Sequence, residues 1–144
     1  MEQNLIKNYA DIESNSPEDL ISVNIIIEIQ MGDGKEILES IKINFNENIT
    51  IKEMLKEIIP ALNDSLQSNN QKVYLNPESY GYQLCECHEN SDGGIITYSN
   101  GNIIEKKEKL KNISARNFKV LYSSKDVILN FQPKKTVCDL CLII

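Results

Sequence analysis

The residues Cys141-Leu142-Ile143-Ile144 carry the most specific chemistry in this 144-residue chain. A cysteine, two aliphatic residues and a last residue form the C-a-a-X pattern, in which the cysteine thiol becomes an isoprenoid thioether. With Ile144 as the terminus, Cys141 is the expected prenylation site, and Leu142 to Ile144 are expected to be removed afterwards. Ile144 is nearer to the Leu or Phe that direct geranylgeranyl than to the Ser or Met that direct farnesyl. One lipid chain gives only marginal, reversible binding, so stable anchoring takes a second signal. Lys134 and Lys135 offer membrane-facing positive charge, and Cys138 is a candidate palmitoylation site.

The same thiols allow a rival chemistry. Cys85-x-Cys87-His88 with Cys138-x-x-Cys141 supplies enough soft ligands for tetrahedral zinc. Two arguments oppose it. Cys85 and Cys87 would share one strand face, and prenylation of Cys141 would remove a ligand. Cys85 and Cys87 are therefore read as small buried hydrophobes, with no metal and no cofactor expected. His88, the only histidine, has no Ser or Cys nucleophile spaced to use it. Glu89 and Asp92 are a common kind of loop carboxylate pair. No Gly-x-x-x-x-Gly-Lys-Ser phosphate loop is present. No enzyme signature emerges.

Hydrophobic residues at 41% and charged residues at 25% place the chain among globular domains, and its length fits one core. No apolar run approaches the roughly 20 residues of a membrane span. Met1-Glu-Gln-Asn4 lacks the regions of a secretory signal. The four cysteines are then most simply reduced cytosolic thiols. Net charge is −6, unevenly spread: residues 1–104 hold 6 basic and 17 acidic residues, residues 105–144 hold 9 and 4. Anionic lipid attracts the basic end, which is also the end with the lipid signal. Lys106, Lys107, Lys109 and Lys111 belong to it, as a solvated or a membrane-facing stretch. Nucleic acid is disfavoured as a partner.

The elements that must position these groups follow from periodicity. Residues 1–21 are polar and acidic, and read as a flexible arm. Val23, Ile25, Ile27 and Ile29 alternate as a half-buried strand. A turn at Met31–Lys35 leads into a second strand, with Ile37, Ile41, Ile43 and Phe45 on one face. Glu39 falls on that face too, so it must reach a rim or the register differs. Thr50-x-x-Glu53 is a capping box, followed by Ile51, Met54, Leu55, Ile58 and Leu62 at helical spacing. Pro60 is expected to kink or restart this helix. Residues 63–79 read as a long connection with an apolar island at Val73–Leu75. Further strands are expected from Tyr80 to about His88, over Ile95–Tyr98 and over Phe118–Tyr122, with a short apolar stretch around Ile103-Ile104 and a last alternation at Val127–Phe131. Turns separate them at Asn90–Gly94 and Ser99–Gly101.

Strand, strand, helix, then several strands is the order of the ubiquitin-like β-grasp fold. An α+β fold is expected, with a mixed sheet packed on one main helix over residues 22–131 and a basic, lipidated tail over 132–144. Tyr80-Gly-Tyr82-Gln-Leu84-Cys-Glu-Cys-His-Glu89-Asn-Ser-Asp92-Gly93 resembles the third strand and following turn of the CRIM domain. That domain is the middle one of the stress-kinase-interacting adaptor in the second target-of-rapamycin complex. The resemblance implies recruitment of kinase substrates through an acidic segment, for which Glu86, Glu89 and Asp92 are the available carboxylates. The pairing of this fold with a prenylation box is similar to the membrane-anchored ubiquitin-fold family. The tail Phe131-Gln-Pro-Lys-Lys-Thr-Val-Cys-Asp-Leu-Cys141 resembles those of small prenylated GTPases. A Ras-association resemblance would instead use Lys35 and Lys42 of the second strand, with Lys52 and Lys56 of the helix, against a small GTPase. The expectation is a prenylated adaptor on the cytoplasmic face of a plasma membrane or endomembrane. Its partner would be a kinase-complex subunit or substrate, or a small GTPase. The alternative is a soluble zinc-binding protein.

Overall fold

The computed structural model describes residues 19–132. The chain runs β1 (Leu20–Gln30), β2 (Glu36–Asn46), α1 (Ile51–Ser68), β3 (Val73–Leu75), β4 (Gln83–Asp92), β5 (Ile95–Ile104), β6 (Asn117–Leu121) and β7 (Val127–Leu129). Five strands form a mixed sheet in the order β2-β1-β6-β4-β5, and β3 pairs with β7 in a small second sheet. Only the β1–β6 pairing is parallel; β1–β2, β4–β6 and β4–β5 are antiparallel. The fold is α+β, with one long helix on a mixed sheet.

Alternation in β1 dictates the core. Val23, Ile25, Ile27 and Ile29 are fully buried on the face that α1 covers. Ile51, Met54, Leu55, Ile58, Ile59, Leu62 and Leu66 return from the helix at the spacing of one apolar stripe. Phe45, Leu84, Phe118 and Val120 complete the layer. Each such aliphatic contributes about 1.5–3 kcal/mol on leaving water. The strand begins at Leu20, two residues earlier than expected, because Ile21 already pairs with Phe45.

Thr50 caps α1 as its sequence required. The Thr50 hydroxyl accepts the Glu53 N–H and the Glu53 carboxylate accepts the Thr50 N–H. Pro60 does not restart the helix, which runs as one element of 18 residues through it. Pro60 and Lys56 both lie on the exposed face. The Lys56 carbonyl left without an N–H partner therefore faces water, which lowers the cost of an interior proline. Consequently residues 63–68 are helix rather than connection.

Two polar groups in the core face are satisfied. Glu39 is buried in β2 and does not need a rim, because Ser65 and Asn69 at the end of α1 donate to its Oε2. Buried Asn63 imitates a strand: its Nδ2 donates to the Leu75 carbonyl and its Oδ1 accepts the Leu75 N–H, both at 2.8 Å. That pair pins β3 to the helix.

The β4–β5 hairpin closes on Gly93 and Gly94 at φ +60° and +85°, a two-residue turn that suits glycine. Ser99–Gly101 is not a turn. β5 continues through it to Ile104 with a bulge, since Cys85 faces Ile103 while Cys87 faces Asn100. The extra residue is absorbed at Gly101-Asn102.

Asn63→Ala leaves both Leu75 backbone groups unpaired in the interior. A loss of about 2 kcal/mol is expected in urea unfolding; a change within ~0.5 kcal/mol would show that β3 is held by other contacts.

Candidate functional site

A concavity that gathers charge lies between the first turns of α1 and the loop from Asn76 to Tyr82. It encloses about 310 Å³ and is lined by Lys52, Leu55, Lys56, Ile59, Pro77, Glu78, Ser79, Tyr80, Tyr82 and Lys106. Leu55, Ile59 and Tyr82 form an apolar floor, and Tyr80 stands 88% exposed at the edge. Three lysines and one carboxylate line it, on a chain that is acidic overall. Lys106 ties the walls together. Its carbonyl accepts the Lys52 N–H at 3.0 Å, and its Nζ donates to the Tyr80 carbonyl at 3.0 Å.

The loop wall is fixed from beneath by Asp126, which is 1% exposed. Ser79 Oγ donates to Asp126 Oδ1, while the Ser123 N–H and Oγ donate to Oδ2 at 3.1 Å. Burial alone would raise the Asp126 pKa, but the bonds from Ser79 and Ser123 outweigh it and hold the carboxyl below its ordinary range. Tyr82 donates to the Asp126 carbonyl at 2.7 Å. Burial, reinforced by the Asp126 charge, pushes the Tyr82 phenol far up, so it stays a donor. Gly81 is required here: a Cβ would sit 2.6 Å from Asp126 Oδ2.

The residues expected from sequence are distributed, not gathered. Lys52 and Lys56 share the helix-side groove. Lys42 lies across the sheet, on its outer face, where it lines a second, more polar hollow of about 480 Å³ with Glu89, Tyr98, Ile26 and Cys87. Lys35 sits in the β1–β2 turn, so the four lysines form no single surface. Alternation along β4 puts Glu89 on the face opposite Glu86 and Asp92, and the three carboxylates form no common patch. Cys85 and Cys87 are buried on the outer sheet face. Burial raises both thiols despite the Lys119 ammonium nearby, so they stay protonated and unreactive. Among the described residues no three His, Cys, Asp or Glu side chains gather as a metal site. No helix among them is long and apolar enough to cross a membrane. Cys141, Cys138, Lys134 and Lys135 lie outside the described residues.

Sequence reasoning did not find Lys106, Tyr80, Tyr82 or Asp126 as parts of a site. One signal was present: Ser123-x-x-Asp126 has the capping-box spacing, and the Asp126 carboxylate accepts the Ser123 N–H while the Asp126 N–H donates to the Ser123 carbonyl.

Replacing Asp126 by Ala is expected to cost about 3 kcal/mol, the loss of several bonds to a buried charge. The pH dependence has a definite sign. A depressed carboxyl stabilises the fold above its unfolded pKa, and that stability disappears as pH falls through the lower folded value. Urea unfolding between about pH 4 and pH 2 should therefore show a shallower pH slope in Asp126→Asn than in wild type. Equal slopes would show that the carboxyl is not selectively ionised in the fold.

No protein-family model matches the chain, and no curated protein matches it. Among solved structures, a chain of the "MycP5-free ESX-5 inner membrane complex, State II" is similar at 13% identity with a TM-score of 0.41. The match covers 85% of this chain and 27% of that chain, so this chain spans about a quarter of that relative's length. A likeness at that level bears on neither family nor function.

Proposed function

We propose that the chain is a membrane-attached adaptor of the ubiquitin-like β-grasp class, presenting a docking groove to a signalling protein. The strand order β2-β1-β6-β4-β5, with its parallel centre and single covering helix, supports the β-grasp reading. The observation that carries the adaptor reading is the lysine-rimmed, apolar-floored groove between α1 and the Asn76–Tyr82 loop. Its chemistry selects an acidic peptide segment bearing an apolar side chain. Charge on the rim steers and orients such a segment, and the floor supplies the burial. A subunit or substrate of a target-of-rapamycin-type kinase complex is the partner this reading names. Prenylation of Cys141, with Cys138 and the Lys134-Lys135 pair as second signal, holds the domain at the cytoplasmic face of a membrane.

A second reading has one observation in its favour. β2 is an edge strand with exposed Lys42, the arrangement a small GTPase would need for main-chain pairing.

Two experiments test the proposal. Native-host fractionation with intact mass should find wild type prenylated and membrane-bound, and Cys141→Ser unmodified and released. Soluble, unmodified wild type would remove the anchor. Binding of purified kinase-complex subunits and of GTP-loaded Ras-type proteins is then compared across two variants. The triple change Lys52→Glu, Lys56→Glu, Lys106→Glu should weaken kinase-subunit binding at least about tenfold, with Lys42→Glu neutral. The reverse pattern with the GTPase would establish the second reading.

A further inference from the structure

The two edges of the main sheet are protected very differently. β2, at one edge, carries Glu36, Glu39 and Lys42 in its eleven residues. β5, at the other, reads Ile-Ile-Thr-Tyr-Ser-Asn-Gly-Asn-Ile-Ile over Ile95–Ile104, with no charge and no proline. An open edge offers a row of unpaired N–H and C=O groups, and proteins normally blunt it with charge, proline or a bulge. The bulge at Gly101-Asn102 is the one such device in β5. It leaves the six residues Ile95–Asn100 regular, and among the described residues no segment pairs with their free edge. Ile95 and Ile96 are 68% and 54% exposed there.

We propose that this segment pairs with the same segment of a second copy, antiparallel about a two-fold axis at Thr97. Residues directly opposite each other in an antiparallel pair share a face. Ile96 and Tyr98 both lie on the outer face, opposite Ser91 and Glu89 of β4. Centring on Thr97 sets Ile96 of each copy against Tyr98 of the other. That gives two β-branched–aromatic cross-strand pairs, a favoured combination. The absence of charge is what makes the strand compatible with itself, since like charges directly opposite are destabilising. The acidic residues of β4 do not prevent the approach. Two β4 strands would stand three strand spacings apart, about 14 Å, beyond the ~8 Å screening length at physiological salt.

Centred on Thr97, the pairing runs only from Ile95 to Ser99 of each copy, and a strand addition of that length buries much less than the ~1,600 Å² of a standard interface. The dimer is therefore weak, with dissociation on the order of 0.1–1 mM. It also tightens with salt, because each copy carries a net charge of −6. A basic partner strand would show the opposite salt dependence.

The test is sedimentation equilibrium of the unlipidated full chain under reducing conditions, at physiological and at 1 M salt. Wild type should show a monomer–dimer equilibrium that strengthens at high salt. Ile96→Lys and Ile96→Glu, opposite in sign and both on an exposed hairpin position, should each weaken it at least about tenfold. Leu38→Lys, on the exposed face of β2 at the far edge, should leave it unchanged. Thermal unfolding of each variant confirms that the domain is intact. Monomer to millimolar concentration at both salts would overturn the proposal. So would a dimer indifferent to both Ile96 changes, or one lost in Leu38→Lys. None of these outcomes depends on the helix-side groove or on lipidation.

Discussion

The structure depends on covering β1. This strand is flanked by β2 and β6, and its inward side chains, Val23, Ile25, Ile27 and Ile29, are entirely removed from water. Hairpin formation satisfies one backbone edge and the parallel β6 the other, but neither shields that face. α1 covers it with a stripe that includes Met54, Ile58, Leu62 and Leu66, and Val73, Leu75 and Leu110 join the same core. A helix ending at Pro60 would leave Leu62 and Leu66 outside the core and Glu39 without Ser65 and Asn69. The unbroken helix is thus selected by burial, at a site where the missing proline N–H costs least.

The docking groove is a by-product of how that helix is held. Its first turn receives the chain after β5: the Ile51 and Lys52 N–H groups donate to the carbonyls of Glu108 and Lys106. This brings Lys106 beside Lys52 and Lys56. The other wall is set by a different constraint, the buried Asp126 carboxylate that holds Ser79 and sits against Gly81. A polar anchor in the second layer therefore shapes an apolar floor and a cationic rim in the first. The β3–β7 ladder supports it from the side, with Tyr74 and Phe131 stacked at 4.5 Å.

The outer face of the sheet shows a different balance. Cys85, Cys87 and Ile26 are buried there, with no covering helix among the described residues. Lys119 is paired with Glu28 on the same face and is largely shielded from solvent, its side chain only 12% exposed. Protonated, shielded thiols in this setting behave as small apolar groups. The β5 edge, unpaired among the described residues, lies next to this face, so any added strand would extend a surface that is already partly apolar.

Local physics was legible in the sequence wherever one segment decided it. Period-two alternation marked β1, β2 and β6, and the Thr50–Glu53 spacing marked the helix start. The adjacent glycines at 93 and 94 marked the hairpin, and parity put Cys85 and Cys87 on one face. Whatever required two distant segments was not legible. Pro60 inside the helix, the bulge at Gly101-Asn102 and the pairing of β3 with β7 each depend on a partner more than a turn away in sequence. The same holds for the groove. Its lysines stand at 52, 56 and 106 and its anchor at 126, with nothing in their spacing to join them. Side-chain periodicity is a property of one strand or helix, read directly from residue order. The meeting of Lys106 with Tyr80, or Asp126 with Ser79, is a property of the closed core, and only the tertiary structure decides it.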